Sequence, residues 1–239
     1  MCGRFAMDGT VYQLLDDLAA RDEAATAVLR GRAPNYNIAP TQQVPVLRER
    51  HGNREVALAR WGMVPPGSPT FGGGKPVYNA RIETVDTRGL FSHPFRSNRC
   101  IIFATGYYEW EEQGSGKQPY FIRDPRRPLA MAGILRAWPD PALAEDDPER
   151  WRLSMSIITR DAHIAPGIVH DRMPAALLAD SYDAWLGGDH SAGDLLGLLE
   201  SDSAEMARQL DCYPVSRSVN RVELARGVPN DGPDLIKPL

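Results

Sequence analysis

Long apolar runs are missing from this chain of 239 residues. No stretch approaches the roughly 20 apolar residues that a membrane helix needs, so a helical spanning protein is excluded. The opening Met1-Cys2-Gly3-Arg4-Phe5-Ala6-Met7 has no apolar h-region. A secretory signal is therefore not expected, and the default compartment is the cytoplasm. Cysteine is scarce: Cys2, Cys100 and Cys212 are odd in number, widely spaced, and form no C-x-x-C. Neither a disulfide framework nor a zinc site fits that pattern. H-E-x-x-H is absent as well, and no metal or other cofactor is expected. Lysine is nearly absent, since of 27 basic residues only Lys75, Lys117 and Lys237 are lysines. The net charge of −4 argues against coating nucleic acid by bulk positive charge, but it leaves room for a local groove. Arginine suits such a groove because its planar fork grips phosphate bidentately. A P-loop is excluded because Pro76 follows Gly72-Gly73-Gly74-Lys75 where Ser or Thr must stand.

Glycine and proline, 21 and 20 residues, are spread along the chain and suit many short elements. Val11, Leu14, Leu15 and Leu18 predict a helix over Thr10–Leu18. Short runs rich in β-branched and aromatic residues predict strands at Val44–Leu47, Glu55–Trp61, Arg99–Tyr108, Pro119–Arg123, Leu129–Leu135 and Leu153–Thr159. Gly114-Ser115-Gly116 reads as a hairpin loop, and 62–76 and 138–150 read as surface loops. Helical patterning returns at Ala175–Leu186 and, with a break, at Ala192–Leu210. Helices do not alternate regularly with strands, so a parallel doubly wound sheet is disfavoured. The expected fold is α+β: a single domain over 1–239 with a mainly antiparallel, barrel-like β core flanked by helices. Cys100 opens an apolar run and is expected to be a buried small hydrophobe.

Cys2 is a different case. Aminopeptidases remove an initiator methionine before a small residue, and the mature chain would then begin with cysteine. An α-amine has a pKa of about 7.7–8.0 against about 10.4 for lysine, so much more of it is neutral and nucleophilic near pH 7. The thiol, at about 8.5, is a second nucleophile on the same residue. The amine condenses with an aldehyde to an imine. The thiol then adds to that imine and closes a five-membered thiazolidine, which persists where a bare imine hydrolyses. Gly3 permits close approach of a ligand, and Arg4 can bind a phosphate.

Other polar residues are candidates alongside it. In Asn79-Ala80-Arg81-Ile82-Glu83 three polar side chains alternate and would share one face of an extended segment, as they also do on ordinary edge strands. Glu109, flanked by Tyr108 and Trp110, should have a raised pKa and could shuttle protons; otherwise it is the polar face of a strand end. His163 and His170 are candidates, the latter favoured by Arg172 two residues on, whereas His51, His93 and His190 read as loop residues. Trp61 and Tyr36-Asn37-Ile38-Ala39-Pro40 could line a nucleic-acid groove by stacking or simply pack in the core or at its rim.

Taken together these pieces resemble the SRAP (SOS response-associated peptidase) family of abasic-site processing proteins. The resemblance rests on Met1-Cys2-Gly3-Arg4-Phe5, Tyr36-Asn37-Ile38-Ala39-Pro40-Thr41, Trp61-Gly62-Met63-Val64-Pro65, Asn79-Ala80-Arg81-Ile82-Glu83-Thr84, Gly106-Tyr107-Tyr108-Glu109-Trp110, His170-Asp171-Arg172-Met173-Pro174 and Pro214-Val215-Ser216 onward, in the family's order. It implies that Cys2 crosslinks to the ring-opened sugar of an abasic site in single-stranded DNA. Asn79 would position the reacting end, Glu109 would move protons, and His170 would assist ring opening and crosslink reversal. Arg4, Arg81 and Arg172 would hold flanking phosphates, with Trp61 and Pro40 near the bases. It further implies peptidase-type exposure of Cys2, weak lyase chemistry, no cofactor, and a monomer that acts on DNA in the cytoplasm or nucleoid and not on membranes. One departure stands out: relatives carry a tryptophan soon after the W-G-x-x-P piece, whereas Pro66-Gly67-Ser68 follows here and the first aromatic is Phe71.

Two other readings compete. An N-terminal-nucleophile glutamine amidohydrolase also begins Met-Cys-Gly, with the thiol attacking an amide. Arg4 stands where such enzymes carry an apolar residue, and their Asn-Gly oxyanion strand has no counterpart here. A non-covalent DNA-binding module would need only the arginines and would be salt-sensitive.

Overall fold

The computed structural model describes residues 2–19, 23–114, 116–162 and 169–239. The elements in chain order are β1 (Phe5–Met7), α1 (Gly9–Ala19), β2 (Asn35–Ile38), β3 (Gln43–Arg50), β4 (Asn53–Trp61), β5 (Asn79–Arg81), α2 (Ser92–Ser97), β6 (Arg99–Ala104), β7 (Gly106–Gln113), β8 (Gly116–Arg123), β9 (Leu129–Pro139), β10 (Trp151–Asp161), β11 (Arg172–Pro174), α3 (Tyr182–Leu186), α4 (Ala192–Ala207) and β12 (Asp211–Pro214). Strands β10, β4, β3, β6 and β9 pair in that order, and β9 pairs back onto β10 to close a barrel. The β3–β4 hairpin turns on His51 and Gly52, both at positive φ (52° and 75°), as a two-residue turn between twisted strands requires. The second layer is an open antiparallel sheet in the order β12-β8-β7-β1-β2. The α+β expectation with a barrel-like, mainly antiparallel core therefore holds. Parallel pairing occurs where β10 meets β4 and β5.

The two layers share one core. Cys2, Phe5, Tyr107 and Ile122 from the open sheet pack in the same cluster as Val46, Trp61, Ile101 and Ile157 from the barrel. The opposite face of the open sheet builds a second cluster from Ala6, Tyr108, Phe121, Val215, Val219 and Leu235. Residues 107 and 108 thus belong to different cores, as strand alternation demands.

Several expected elements change in detail. The run Arg99–Tyr108 is two strands: β6 closes the barrel, and β7 begins the open sheet after Thr105. Thr105 makes the corner by donating its N–H to Ala6 O (2.9 Å) and accepting Asp8 N–H on its hydroxyl (2.9 Å). Ala175–Leu186 is helical only from Ala179 onward, because 175–177 hydrogen-bond to Ala130 and Ala132 on β9. The expected break after Ala192 is absent: α4 runs unbroken to Ala207, started by a Ser191–Asp194 capping box. Strand β9 runs on to Pro139 and shortens the 138–150 loop, and His93 lies on α2 instead of in a loop. The Asn79–Glu83 segment is extended only through Arg81; Ile82–Thr84 is a 3-10 turn, so Glu83 leaves the shared face.

Gly106 sits where β7 crowds β8. An added Cβ would lie 2.5 Å from Phe121 Cζ and 2.6 Å from the Ile122 carbonyl. A backbone oxygen in a ladder cannot move aside cheaply. Gly106→Ala is therefore expected to lower unfolding stability by about 1–3 kcal/mol, read from urea midpoints.

Candidate active site between barrel and sheet

The β1–β7 ladder builds the site. Phe5 lies opposite Tyr107 and Ala6 opposite Gly106, while Tyr108 N–H donates to Arg4 O (2.9 Å). Extending β1 backward carries Cys2 toward Glu109, two residues beyond Tyr107 on the same face of β7. Cys2 is fully buried. Burial, reinforced by the Glu109 charge, pushes its thiol well above the usual range. Glu109 is 2% exposed, and burial raises its carboxyl to about 7. A thiol that stays protonated is a poor first nucleophile, whereas a carboxyl near 7 can both give and take a proton.

Asn79 comes from the barrel side. Strand β5 pairs in parallel with β10, Asn79 opposite Ile157 and Arg81 opposite Thr159. The Asn79 amide nitrogen donates to the Cys2 carbonyl (2.9 Å). Its Oδ1 is buried without a partner. Asn79 is thus a hinge pin between the layers with one acceptor to spare.

His170 precedes β11. Its Nδ1 accepts the Arg172 N–H (3.0 Å) and lies 2.9 Å from Asp171 Oδ1. The first contact suits the neutral ring with its proton on Nε2, and the second suits the protonated ring. Burial lowers the pKa of His170 and favours the neutral form, while Asp171 opposes the shift. Asp171 also acts electrostatically on Glu109, which ties this segment to the same site. His163 lies outside the described residues.

The arginines divide. Arg81 is exposed on β5. Arg4 is half-buried, donates from Nη1 to Asn37 Oδ1 (2.6 Å) and Val219 O (2.7 Å), and lies 5.8 Å over the Trp110 ring. Arg172 is buried and turned inward. It meets Glu83 (2.5 Å), Asp161 and the Thr159 carbonyl (2.7 Å). Trp61 is fully buried, 4.9 Å from the Phe5 ring, with its indole N–H on Tyr78 O (2.9 Å). Pro40 is half-buried beside Thr41, which adopts φ 85°. Phe71 packs on Trp138 at 5.6 Å with the Arg152 guanidinium 4.1 Å above it. Among the described residues no cluster of three or more His, Cys, Asp or Glu side chains could hold a metal ion.

Two residues within the quoted motifs had no individual role assigned from sequence. Asn37 is a buried hub that accepts Arg4 and donates to Arg221 O (2.9 Å) and Asn230 O (2.8 Å). Tyr107 shares the face of Glu109, and i, i+2 spacing in a strand was the available signal for it.

A buried cysteine and a carboxyl raised to about 7 lie between a closed barrel and an open sheet. The chain belongs to the SOS response associated peptidase (SRAP) family, whose match spans residues 1–222. Its relatives include abasic site processing protein YoaM of Bacillus subtilis, 32% identical over 225 residues and covering 92% of this chain and 93% of the relative. YedK of Escherichia coli, also named an abasic site processing protein, is 31% identical with 100% of both chains covered. HMCES of Gallus gallus, of the same designation, is 29% identical, with 100% of this chain and 78% of the relative covered. A solved structure from Bacteroides thetaiotaomicron shares the fold, with a TM-score of 0.76 over 100% of both chains at 22% identity.

Because the folded chain holds the Glu109 proton more tightly than the unfolded one, Glu109 contributes a loss of stability as pH rises from 4.5 toward 7. Glu109→Gln, neutral at every pH, is expected to be more stable than the unsubstituted chain by about 3 kcal/mol well above pH 7. The two chains should converge below pH 4.5. Urea unfolding across pH reads the difference.

Proposed function

We propose that the chain processes abasic sites in single-stranded DNA by forming a thiazolidine between a processed Cys2 and the ring-opened sugar. The observation that carries this reading is the buried Cys2 held by Asn79 beside a carboxyl raised to about 7. Loss of residue 1, a peptidase-type step, leaves an α-amine at Cys2. His170 assists opening of the sugar to its aldehyde. The amine nitrogen attacks C1, and Asn79 Oδ1 is the acceptor that fits an amine N–H. Protonated Glu109 gives its proton to the resulting hydroxyl, which departs as water while the nitrogen lone pair forms the C=N bond. The thiol sulfur then adds to that carbon, the S–H proton returns to Glu109, and the ring closes. The raised thiol pKa fits this order, because the sulfur reacts only when a neighbouring base can take its proton. Elimination from the imine would supply weak lyase chemistry, and reversal through His170 would release the DNA.

The strand would run past Arg81 and Arg4, with Pro40 at the rim and Trp61 as a wall behind it. Arg172 reaches a phosphate by exchanging Glu83 or Asp161, and otherwise braces the site. The chain, acting as one domain and a monomer over 1–239, would need no cofactor and no membrane, and would meet its DNA in the cytoplasm or nucleoid.

A denaturing gel tests the core of this reading. Single-stranded DNA carrying one abasic site should give a shifted band, intact DNA none, and Cys2→Ala none. A tag that keeps residue 1 in place should also abolish the band, because the amine becomes an amide. Equal shifts with both strands would defeat the proposal. Glu109→Gln is expected to slow adduct formation by about a hundredfold while leaving the affinity for intact single strands unchanged. A rate that matches the unsubstituted chain at every pH would remove Glu109 from the mechanism.

A further inference from the structure

Tyr107 carries a buried hydroxyl with no hydrogen-bond partner. Its side chain is 1% exposed and sits in the core shared by both layers. An unmade hydrogen bond of this kind costs about 1–3 kcal/mol, so a phenylalanine there would be the more stable choice. Tyr108, next along the strand, shows how the same group is normally satisfied: its hydroxyl donates to Tyr36 O at 2.7 Å. The spare donor lies on β7 between Phe5 of β1 and Ile122 of β8, two residues from Glu109 and on the same face. It lies within electrostatic reach of both Glu109 and Cys2. Across the site, Asn79 Oδ1 is a buried acceptor in the same condition. An unmatched donor and an unmatched acceptor on opposite sides of one cysteine fit a guest that both accepts and donates.

We propose that the Tyr107 hydroxyl contacts the substrate, donating to the oxygen on C1 as the sugar carbonyl becomes a carbinolamine and then loses water. This inference rests on the crosslinking reading above. In the addition step the amine nitrogen bonds to C1 and the carbonyl π pair moves onto oxygen, where the Tyr107 O–H is the donor that receives it. One nitrogen proton passes to that oxygen. In the dehydration step Glu109 supplies the second proton, the C–O bond breaks, and water departs while still hydrogen-bonded to Tyr107. Tyr107 itself neither gains nor loses a proton. Burial and the charges of Glu109 and Cys2 hold its phenol far above the usual range, so it acts as a fixed donor and not as a base. The donor favours the oxygen of the adduct over the ground-state carbonyl, because charge develops there only as nitrogen attacks.

The test uses the chain lacking residue 1 with single-stranded DNA carrying one abasic site. Tyr107→Phe removes the hydroxyl and keeps the ring. It should form the adduct about a hundredfold more slowly, with an unchanged affinity for intact single strands and an equal or higher Tm. Borohydride added early should trap correspondingly less imine, because the loss falls before ring closure. Placing 4-aminophenylalanine at position 107 restores a donor and should recover most of the rate. Adduct formation by Tyr107→Phe at the unsubstituted rate would overturn the inference while leaving Cys2 chemistry intact. So would a slow rate that 4-aminophenylalanine fails to raise, since the ring environment and not the donor would then be at work. Absence of adduct from the unsubstituted chain would remove the crosslinking reading, and this one with it.

Discussion

Exclusion of water from the layer between barrel and sheet is the constraint on which the rest of the site depends. Burial shifts a carboxyl and a thiol there toward their neutral forms, because little solvent remains to stabilise an anion. The Glu109 carboxyl rises to about 7 and the Cys2 thiol rises further. The thiol is held neutral, and the carboxyl stands near its midpoint at neutral pH. Any covalent chemistry at Cys2 must therefore begin with a neutral nucleophile and hand protons across a short distance. An α-amine meets that requirement and a buried thiol alone does not.

The scaffold keeps this arrangement in register through hydrogen bonds from both layers. On one side, β1 is locked to β7, and Thr105 turns the corner that sends β6 into the barrel and β7 into the sheet. On the other, β5 rides on β10 and delivers Asn79 to the Cys2 carbonyl. Two polar hubs brace the margins. Asn37 gathers Arg4 and the carbonyls of Arg221 and Asn230, so the 217–230 segment is tied to the strand beside β1. Arg172 joins Glu83 on the turn after β5 to Asp161 at the end of β10. The Arg172 guanidinium is buried and its carboxylate partners are half-exposed, so removing the carboxylates would leave a buried charge stranded, whereas removing Arg172 would leave two solvated ones.

Much of the fold and part of the site could be read from residues alone. Alternation and turn residues located the long strands β3, β4 and β6 to β10, whereas β1, β2, β11 and β12, only three or four residues each, are too short to show a period and were missed. The Arg99–Tyr108 run was misread as one strand because both of its halves are buried, and apolar pattern carries no information about which sheet a strand joins. The raised Glu109 carboxyl was expected, but for the wrong cause: Tyr108 and Trp110 pack on the other face of β7, and it is burial on the Tyr107 face that raises it. The inward turn of Arg172 was not, because its partners Glu83 and Asp161 are distant in sequence and only the β10–β11 and β10–β5 ladders bring them together. Trp61 was open between groove and core, and its packing on Phe5 depends on how the two layers meet.

Elsewhere among the described residues many buried polar side chains are paired, although the Nε atoms of Arg4, Arg123, Arg136 and Arg172 are not. Ser203 and Asp202 on α4 accept the N–H groups of Ala176 and Leu178, Gln118 donates to the Val215 carbonyl, and Ser156 donates to Val77 O. Against that background, the unmatched Asn79 Oδ1 and Tyr107 hydroxyl stand out for their position beside Cys2. Each is a few residues of ladder from Cys2, and each sits on a strand held rigidly by its neighbours, so neither can relax toward a partner. Where an unmatched donor and an unmatched acceptor lie around one residue, hydrogen-bonding capacity is left over for a group that the chain does not itself contain. The cost in stability and the readiness for a guest are then two consequences of the same packing.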